Sequence, residues 1–332
     1  MRQPLRILTW HVHGSYLYYL SHVPHVFVVP YDAARSPGWG GRSPGWPWPA
    51  NLVEAPREKV CDLEFDCILF QSHQNYTHDQ FSLLTPAQRA LPKVLLEHDP
   101  PRQHPTDTKH PVQDEDVLVV HVTAFNRLMW DCGGAPTCVV DHGVTVPRDV
   151  RWSGALERGI VVINNLAHRG RRLGADVFEE ARARVPLDLV GMDAASCGGI
   201  GEVPHHALPA FMANYRFFFN PIRWTSLGLS ILEAMAVGLP VVGLATTELV
   251  TVFDDGEAGY LDTDPERLVA CMEKLLAEPE TARRLGERAR RIAAERFSIH
   301  RFVRDWLAVF DRVVAGASAD IPVVHPRSLL SA

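Results

Sequence analysis

The chain reads as an α/β protein built from two doubly wound parallel sheets. Short apolar runs that suit buried strands alternate with helical patterns in two successive series, one in each half. A length of 332 residues exceeds one ordinary domain. The stretch from Tyr215 to Ala245 spells strand, turn, helix, turn, strand, the right-handed repeat from which such sheets are wound.

Leu5 to Trp10 is the first strand, Gly14 marks the loop after it, and Tyr16 to Leu20 continues as a helix. A second strand is expected from His25 to Pro30. Residues 31–56 lack periodicity and are rich in Pro, Gly and Trp, which predicts one long loop; Arg-Ser-Pro-Gly-Trp occurs in it twice, a duplication too small for a solenoid. Further strands are expected at Asp66 to Gln71, Lys93 to Glu97, Asp116 to Val122 and Thr137 to Val140, with helices near Pro86 to Leu91 and from Ala124 to Cys132. Pro147 to Gly154 is polar and punctuated, so the first domain is expected over residues 1–148.

The alternation restarts with a strand from Gly159 to Asn164, a helix near Leu173 to Arg184, a strand from Leu187 to Val190 and a helix from Leu208 to Tyr215. Phe217-Phe218-Phe219 forms the core of the next strand, which stops at Asn220-Pro221. The following helix is expected to take Ser226 as its N-cap and to end at Gly238 and Pro240, before a strand from Val241 to Ala245. Helices at Pro265 to Leu276, Glu280 to Glu295 and Ile299 to Val314 complete a second domain over 149–315, with Phe302, Trp306, Val309 and Phe310 on one face of the last. Residues 316–332 are expected to form a loose tail.

A hydrophobic fraction of 46% with 22% charged residues supplies ample core. The net charge of −6 provides no basic field to recruit nucleic acid. Six cysteines without a Cys-x-x-Cys pair predict free thiols in a reducing compartment. No apolar run approaches bilayer length, and Met-Arg-Gln-Pro-Leu-Arg leads straight into a strand, so a cytoplasmic protein is expected.

The chemistry concentrates in Asn220 to Thr247. The amides opening its helix, around Leu227, Gly228 and Leu229, lie at the carboxyl edge of the sheet, where unpaired N–H groups and the helix dipole attract a phosphate. Gly228 keeps the helix start bare. Glu233, further along the same helix, suits the vicinal hydroxyls of a ribose. An anion site with a ribose acceptor predicts a nucleotide.

The run Ser-Leu-Gly-Leu-Ser-Ile-Leu-Glu-Ala-Met-Ala-x-Gly-x-Pro-Val-Val resembles the donor-site motif of the retaining GT-B glycosyltransferases of family four. That resemblance implies two Rossmann-like domains facing a cleft and a terminal helix that crosses back to the first. It implies transfer of a sugar from a nucleotide-diphosphate donor to an acceptor with retained configuration, with no cofactor besides the donor and no metal. The motif usually carries two Glu separated by seven residues; the second falls on Glu233 and the first on Thr225. An Arg and a Lys usually clamp the diphosphate; Asn165 stands at the place of the Arg and Arg169 at that of the Lys, with Arg172 nearby to add a second guanidinium. His98 matches a His that the family presents to the donor sugar, Gly14 matches its first-loop glycine, and His142-Gly143-Val144 replaces its Asn-Gly-Val. The catalytic candidates are therefore His98, Arg169 and Thr225, and Ser226 joins the donor-binding set.

The acceptor is a carbohydrate, a lipid-linked sugar or another small molecule, and peripheral membrane contact is compatible with it. His13 and His73 lie at strand ends that rim a ligand site, and Trp39 and Trp46, with Trp48, Arg35 and Arg42, offer a stacking platform beside local packing as the alternative. His205-His206 falls near the expected nucleobase position. His11 and His13 share one face of an extended strand, but neither has an acidic or thiol companion in sequence, so no metal is expected there. A GT-B protein that binds a nucleotide sugar without turnover, motivated by Thr225 and the altered clamp, is the alternative from another class. A nucleotide-sugar epimerase of the same shape is a further one, and a nicotinamide enzyme lacks the Gly-x-Gly-x-x-Gly fingerprint.

Overall fold

The computed structural model describes residues 3–316. It divides into two units, one formed by residues up to Gly143 together with those from Ile299, the other by Val144 to Ser298. The division falls ahead of the expected boundary at 148, and the last helix groups with the first unit. The expected tail over 316–332 lies outside the described residues, apart from Gly316.

The first unit holds a seven-stranded sheet, every neighbouring pair parallel. Its strands are β1 (Arg6–Thr9), β2 (Val26–Tyr31), β3 (Leu52–Pro56), β4 (Cys67–Phe70), β5 (Lys93–Glu97), β6 (Val117–His121) and β7 (Thr137–Val139), in the order β3-β2-β1-β4-β5-β6-β7. β4 and β6 are buried throughout, as expected of apolar runs covered on both faces. Burial pushes the Cys67 and Cys138 thiols up to about 12. The order reverses between β1 and β4, so the loops after these two strands diverge and open a crevice at the sheet's carboxyl edge.

The second unit holds five parallel strands in the order β12-β11-β10-β8-β9. They are β8 (Leu156–Val162), β9 (Leu187–Val190), β10 (Tyr215–Asn220), β11 (Val241–Leu244) and β12 (Gly259–Asp262). Phe217 and Phe219 point into a core with Val161, Leu189, Met272 and Leu285. Here the order reverses between β8 and β10, and the loops following those strands meet. Among the described residues, no helix is long and apolar enough to cross a membrane.

The expected long loop over 31–56 is corrected by β3, which pairs in parallel with the outer edge of β2. Leu-Val-Glu-Ala-Pro is short, charged at its middle and closed by Pro, as only an edge strand permits, so it carries no periodic signal. β12 and the helical stretch over 75–83 also escape a periodicity reading, each segment being too short to show a repeat.

The helix Ile299–Val314 packs with the first unit through Phe302, Trp306, Val309 and Phe310, all buried. Trp306 Nε1 donates to Tyr16 Oη at 3.1 Å, and Phe310 meets His25 and Phe27 edge-on. Arg301 donates to the carbonyls of Asp141 and His142. Gly143 lets Phe302 approach, since a Cβ there would lie 2.2 Å from Phe302 Cβ. Replacing Trp306 by Ala should cost about 3–5 kcal/mol of stability. Trp306→Phe, which keeps a ring but removes the donor, should cost about 1–2 kcal/mol beyond any repacking. Urea unfolding of the two variants measures both, and an unchanged midpoint for Trp306→Phe would show that the hydrogen bond contributes nothing of its own.

Candidate functional site

The second unit's site is built on the loops after β8 and β10. The helix Leu229–Val237 follows β10, and its N-cap is Gly228 rather than the expected Ser226. The chain runs extended through Gly228 (φ −70°, ψ 135°), so Ser226 lies too far back to reach the first turn, and Gly228 makes no side-chain cap. Leu227, 3% exposed, anchors the turn from below. An added Cβ at Gly228 would find its nearest atoms, on Ile231 and Ser230, at 3.7 Å. Neither its φ nor its protein surroundings therefore require glycine, and what the missing side chain leaves open is approach to the first helical amides.

Hydrogen bonds bind the two loops together. The amides of Arg223 and Trp224 both donate to the Arg172 carbonyl at 3.1 Å. The Arg223 guanidinium holds Asp176 at 2.5 and 2.9 Å, and its hydrogen bond keeps that carboxyl below its usual range. Gly174 takes a left-handed conformation (φ 77°), and a Cβ there would lie 1.9 Å from the Pro221 carbonyl oxygen, so only glycine permits this approach. The structure thus brings Arg169 and Arg172 into the same loop pair as Thr225, Ser226 and Gly228. Arg169 closes the short helix Leu166–Arg169, whose N-cap position is Asn165; Asn165 is left-handed (φ 53°), and its amide donates to the Met192 carbonyl at 2.7 Å. Arg223 was missed in the sequence because its partner Asp176 lies 47 residues away, in the first turn of the helix Ala175–Arg182.

Glu233 lies inside the helix, 2% exposed, and its Oε1 accepts from His205 Nε2 at 2.9 Å. Of the pair His205-His206, His205 alone takes up this position; His206 is exposed. Burial makes the carboxylate depend on such a donor.

In the first unit His98 follows β5, with Nε2 3.2 Å from Gln71 Oε1, while Gln71 Nε2 donates to Thr9 Oγ1 at 3.2 Å. His13 and Tyr16 meet the His98 ring edge-on, at 4.3 and 4.9 Å between centroids. Burial, reinforced by His13, holds the His98 pKa well below the usual imidazole value, so the ring is neutral at neutral pH. Gly14 opens the first helix beneath Trp46, whose ring stacks on Trp48 at 5.3 Å.

Two expectations are corrected here. Trp39 is no open platform: it is 9% exposed, belongs to the core, and carries the Arg57 guanidinium 4.0 Å from its ring centroid. Its remaining edge lines a pocket at the β1/β4 crevice with His11, Ser72, Gln74, Asn75 and Asp79. His11 and His13 do not share a strand face, because β1 ends at Thr9; His11 Nδ1 contacts the Gly41 carbonyl at 2.6 Å and His13 is a helix N-cap. His73, the remaining acceptor candidate, places Nε2 2.5 Å from Glu97 Oε2.

Residues 195–292 match the family described as Glycosyl transferases group 1. A stretch of 131 residues is 32% identical to the MMP alpha-(1->4)-mannosyltransferase of Mycolicibacterium hassiacum, covering 36% of this chain and 32% of that protein. The matched stretch thus spans about a third of the relative's length. Over nearly the whole chain the fold resembles sucrose-phosphate synthase from Thermosynechococcus elongatus, at 16% identity, with a TM-score of 0.69 and coverage of 95% of this chain and 100% of that one. Anabaena HepE in complex with UDP-glucose gives a TM-score of 0.67 at 14% identity, covering 92% and 99%. The fold is GT-B, two Rossmann-like units in series.

Replacing His205 by Ala should cost about 1–3 kcal/mol, by removing a donor from a buried carboxylate. His205→Gln, which retains an N–H, should recover part of it. Chemical denaturation compares them; an unchanged midpoint for His205→Ala would show that Glu233 does not depend on the imidazole.

Proposed function

We propose that this chain, a GT-B protein with a group 1 glycosyltransferase domain, moves a sugar from a nucleotide-diphosphate donor to a carbohydrate or other small hydroxyl acceptor, retaining the anomeric configuration and using no metal in the transfer. One observation carries the reading. The uncapped first turn at Gly228, the buried Glu233 in the same helix and the arginine loop hydrogen-bonded to that turn fit a diphosphate on one side and a ribose on the other. The complex of Anabaena HepE with UDP-glucose supports it by fold.

In this reaction the breaking glycosidic bond leaves charge on the departing diphosphate. Arg169, Arg172 and the amides at Gly228 and Leu229 stabilise that charge more than they stabilise the bound donor, and this difference lowers the barrier. The departing phosphate accepts the proton of the acceptor hydroxyl on the face it leaves, so the configuration is kept without an enzyme nucleophile. Thr225, neutral and half-buried in the turn, is compatible with such a path. In the first unit His98 offers a neutral imidazole, and His13 and Trp46 are the acceptor candidates.

Anomeric NMR of the product from a panel of nucleoside diphosphate sugars tests the assignment; an inverted product would overturn retention. Gly228→Ala should change stability by only about 0.5–1 kcal/mol, the difference between these residues at a cap, while donor binding measured by calorimetry falls sharply. Equal donor affinity in this variant would remove the turn from the site. Arg169→Ala should lower turnover by about 10²–10³-fold, as loss of one preorganised charge contact does, and unchanged kinetics would exclude it.

A further inference from the structure

The first unit gathers two imidazoles around one carboxylate oxygen. Glu97 ends β5, His73 follows β4, and His110 lies in the segment beyond β5. Glu97 Oε2 is 2.5 Å from His73 Nε2 and 3.1 Å from His110 Nε2, and the three ligand atoms all lie within 4.8 Å of one another. We propose that His73, Glu97 and His110 form a binding site for a divalent transition metal of the zinc type.

Two imidazoles and one carboxylate are the ligand set that zinc takes when a fourth position stays open. The ligand atoms of a tetrahedral site stand about 3.4 Å apart at ordinary zinc–nitrogen lengths, so Glu97, at 2.5 and 3.1 Å from the two imidazoles, has to open by about an ångström or less to admit an ion. Second contacts hold the set in place. Glu97 Oε1 accepts the Asp99 amide at 2.9 Å, and His110 Nδ1 sits 3.0 Å from the Val112 amide and 3.3 Å from its carbonyl, so a backbone partner exists for either tautomer. Trp130 stands edge-on to both imidazoles, at 5.7 and 5.0 Å, and is itself fixed by Nε1 donating to the Asp99 carbonyl at 2.8 Å. His110 and Glu97 are buried, while the His73 side chain is 38% exposed, which gives the ion an entry path and the open position a side facing solvent. The bound ion would pin the loop that starts at His98, outside the donor loops of the second unit.

The experiment needs no donor, so its outcome is separate from that of the transferase reading. The full chain is stripped with a chelator, dialysed and titrated with cobalt(II) chloride, followed by visible absorption, and with zinc chloride, followed by calorimetry and thermal unfolding. One equivalent of cobalt with the intense ligand-field bands of a four- or five-coordinate site, and a zinc-dependent rise in unfolding temperature, are expected. His73→Ala, at a partly exposed ring, should fold as judged by circular dichroism and lose the bands, with zinc affinity at least about 10-fold weaker; Glu97→Gln should do the same. Absence of the bands in the parent chain, or equal zinc affinity in His73→Ala, would overturn the proposal in favour of a purely protonic Glu97 network.

Discussion

Reversal of strand order within a parallel sheet is the constraint on which the rest of the molecule depends. Where neighbouring strands send their following segments to opposite faces, the loops between them cannot fill the edge, and a crevice is left at the carboxyl ends. Both units have such a point, between β1 and β4 and between β8 and β10. In the second, backbone hydrogen bonds lock the two loops into one surface: the Arg172 carbonyl takes two amides from the turn opposite, and Gly174 lets the backbones approach. The arginines and the uncapped helix are thereby presented together although more than fifty residues separate them along the chain. In the first, the crevice holds the pocket edged by His11 and Asn75.

The fold and the second unit's site were legible in the sequence to the extent that their signals were local. Phe217-Phe218-Phe219, the turn at Asn220-Pro221 and the Gly238 to Pro240 stop delimit one strand and one helix within a few residues, and the structure follows them closely. The cap shifted from Ser226 to Gly228 because the choice depends on where the extended backbone turns, which residue type alone does not state. β3 stayed hidden because an edge strand needs no alternation. Contacts between distant segments were not legible: the bond of His205 to Glu233, the pairing of Arg223 with Asp176 and the burial of Trp39 each join stretches far apart in sequence.

The histidines of the first unit show the same limit. Read along the chain, His11 and His13 were the nearest to a ligand pair, and the fold sends them to different partners. His73 and His110 have no sequence relation to Glu97 that spacing could expose; the segment after β4 meets the end of the adjacent parallel β5, and the His110 amide, donating to the Asp131 carbonyl, fixes the connection between β5 and β6 beside them.

The cysteines carry a further consequence. Cys67, Cys132 and Cys138 are enclosed, and the surroundings that exclude water raise each thiol to about 12, so at physiological pH almost none of it is in the anionic form that attacks electrophiles. Cys61, on the exposed turn after β3, has no such shelter. An alkylating dye or a mild oxidant should therefore discriminate among chemically identical groups by solvent access, marking position 61 first and leaving the sheet interior untouched while the protein stays folded.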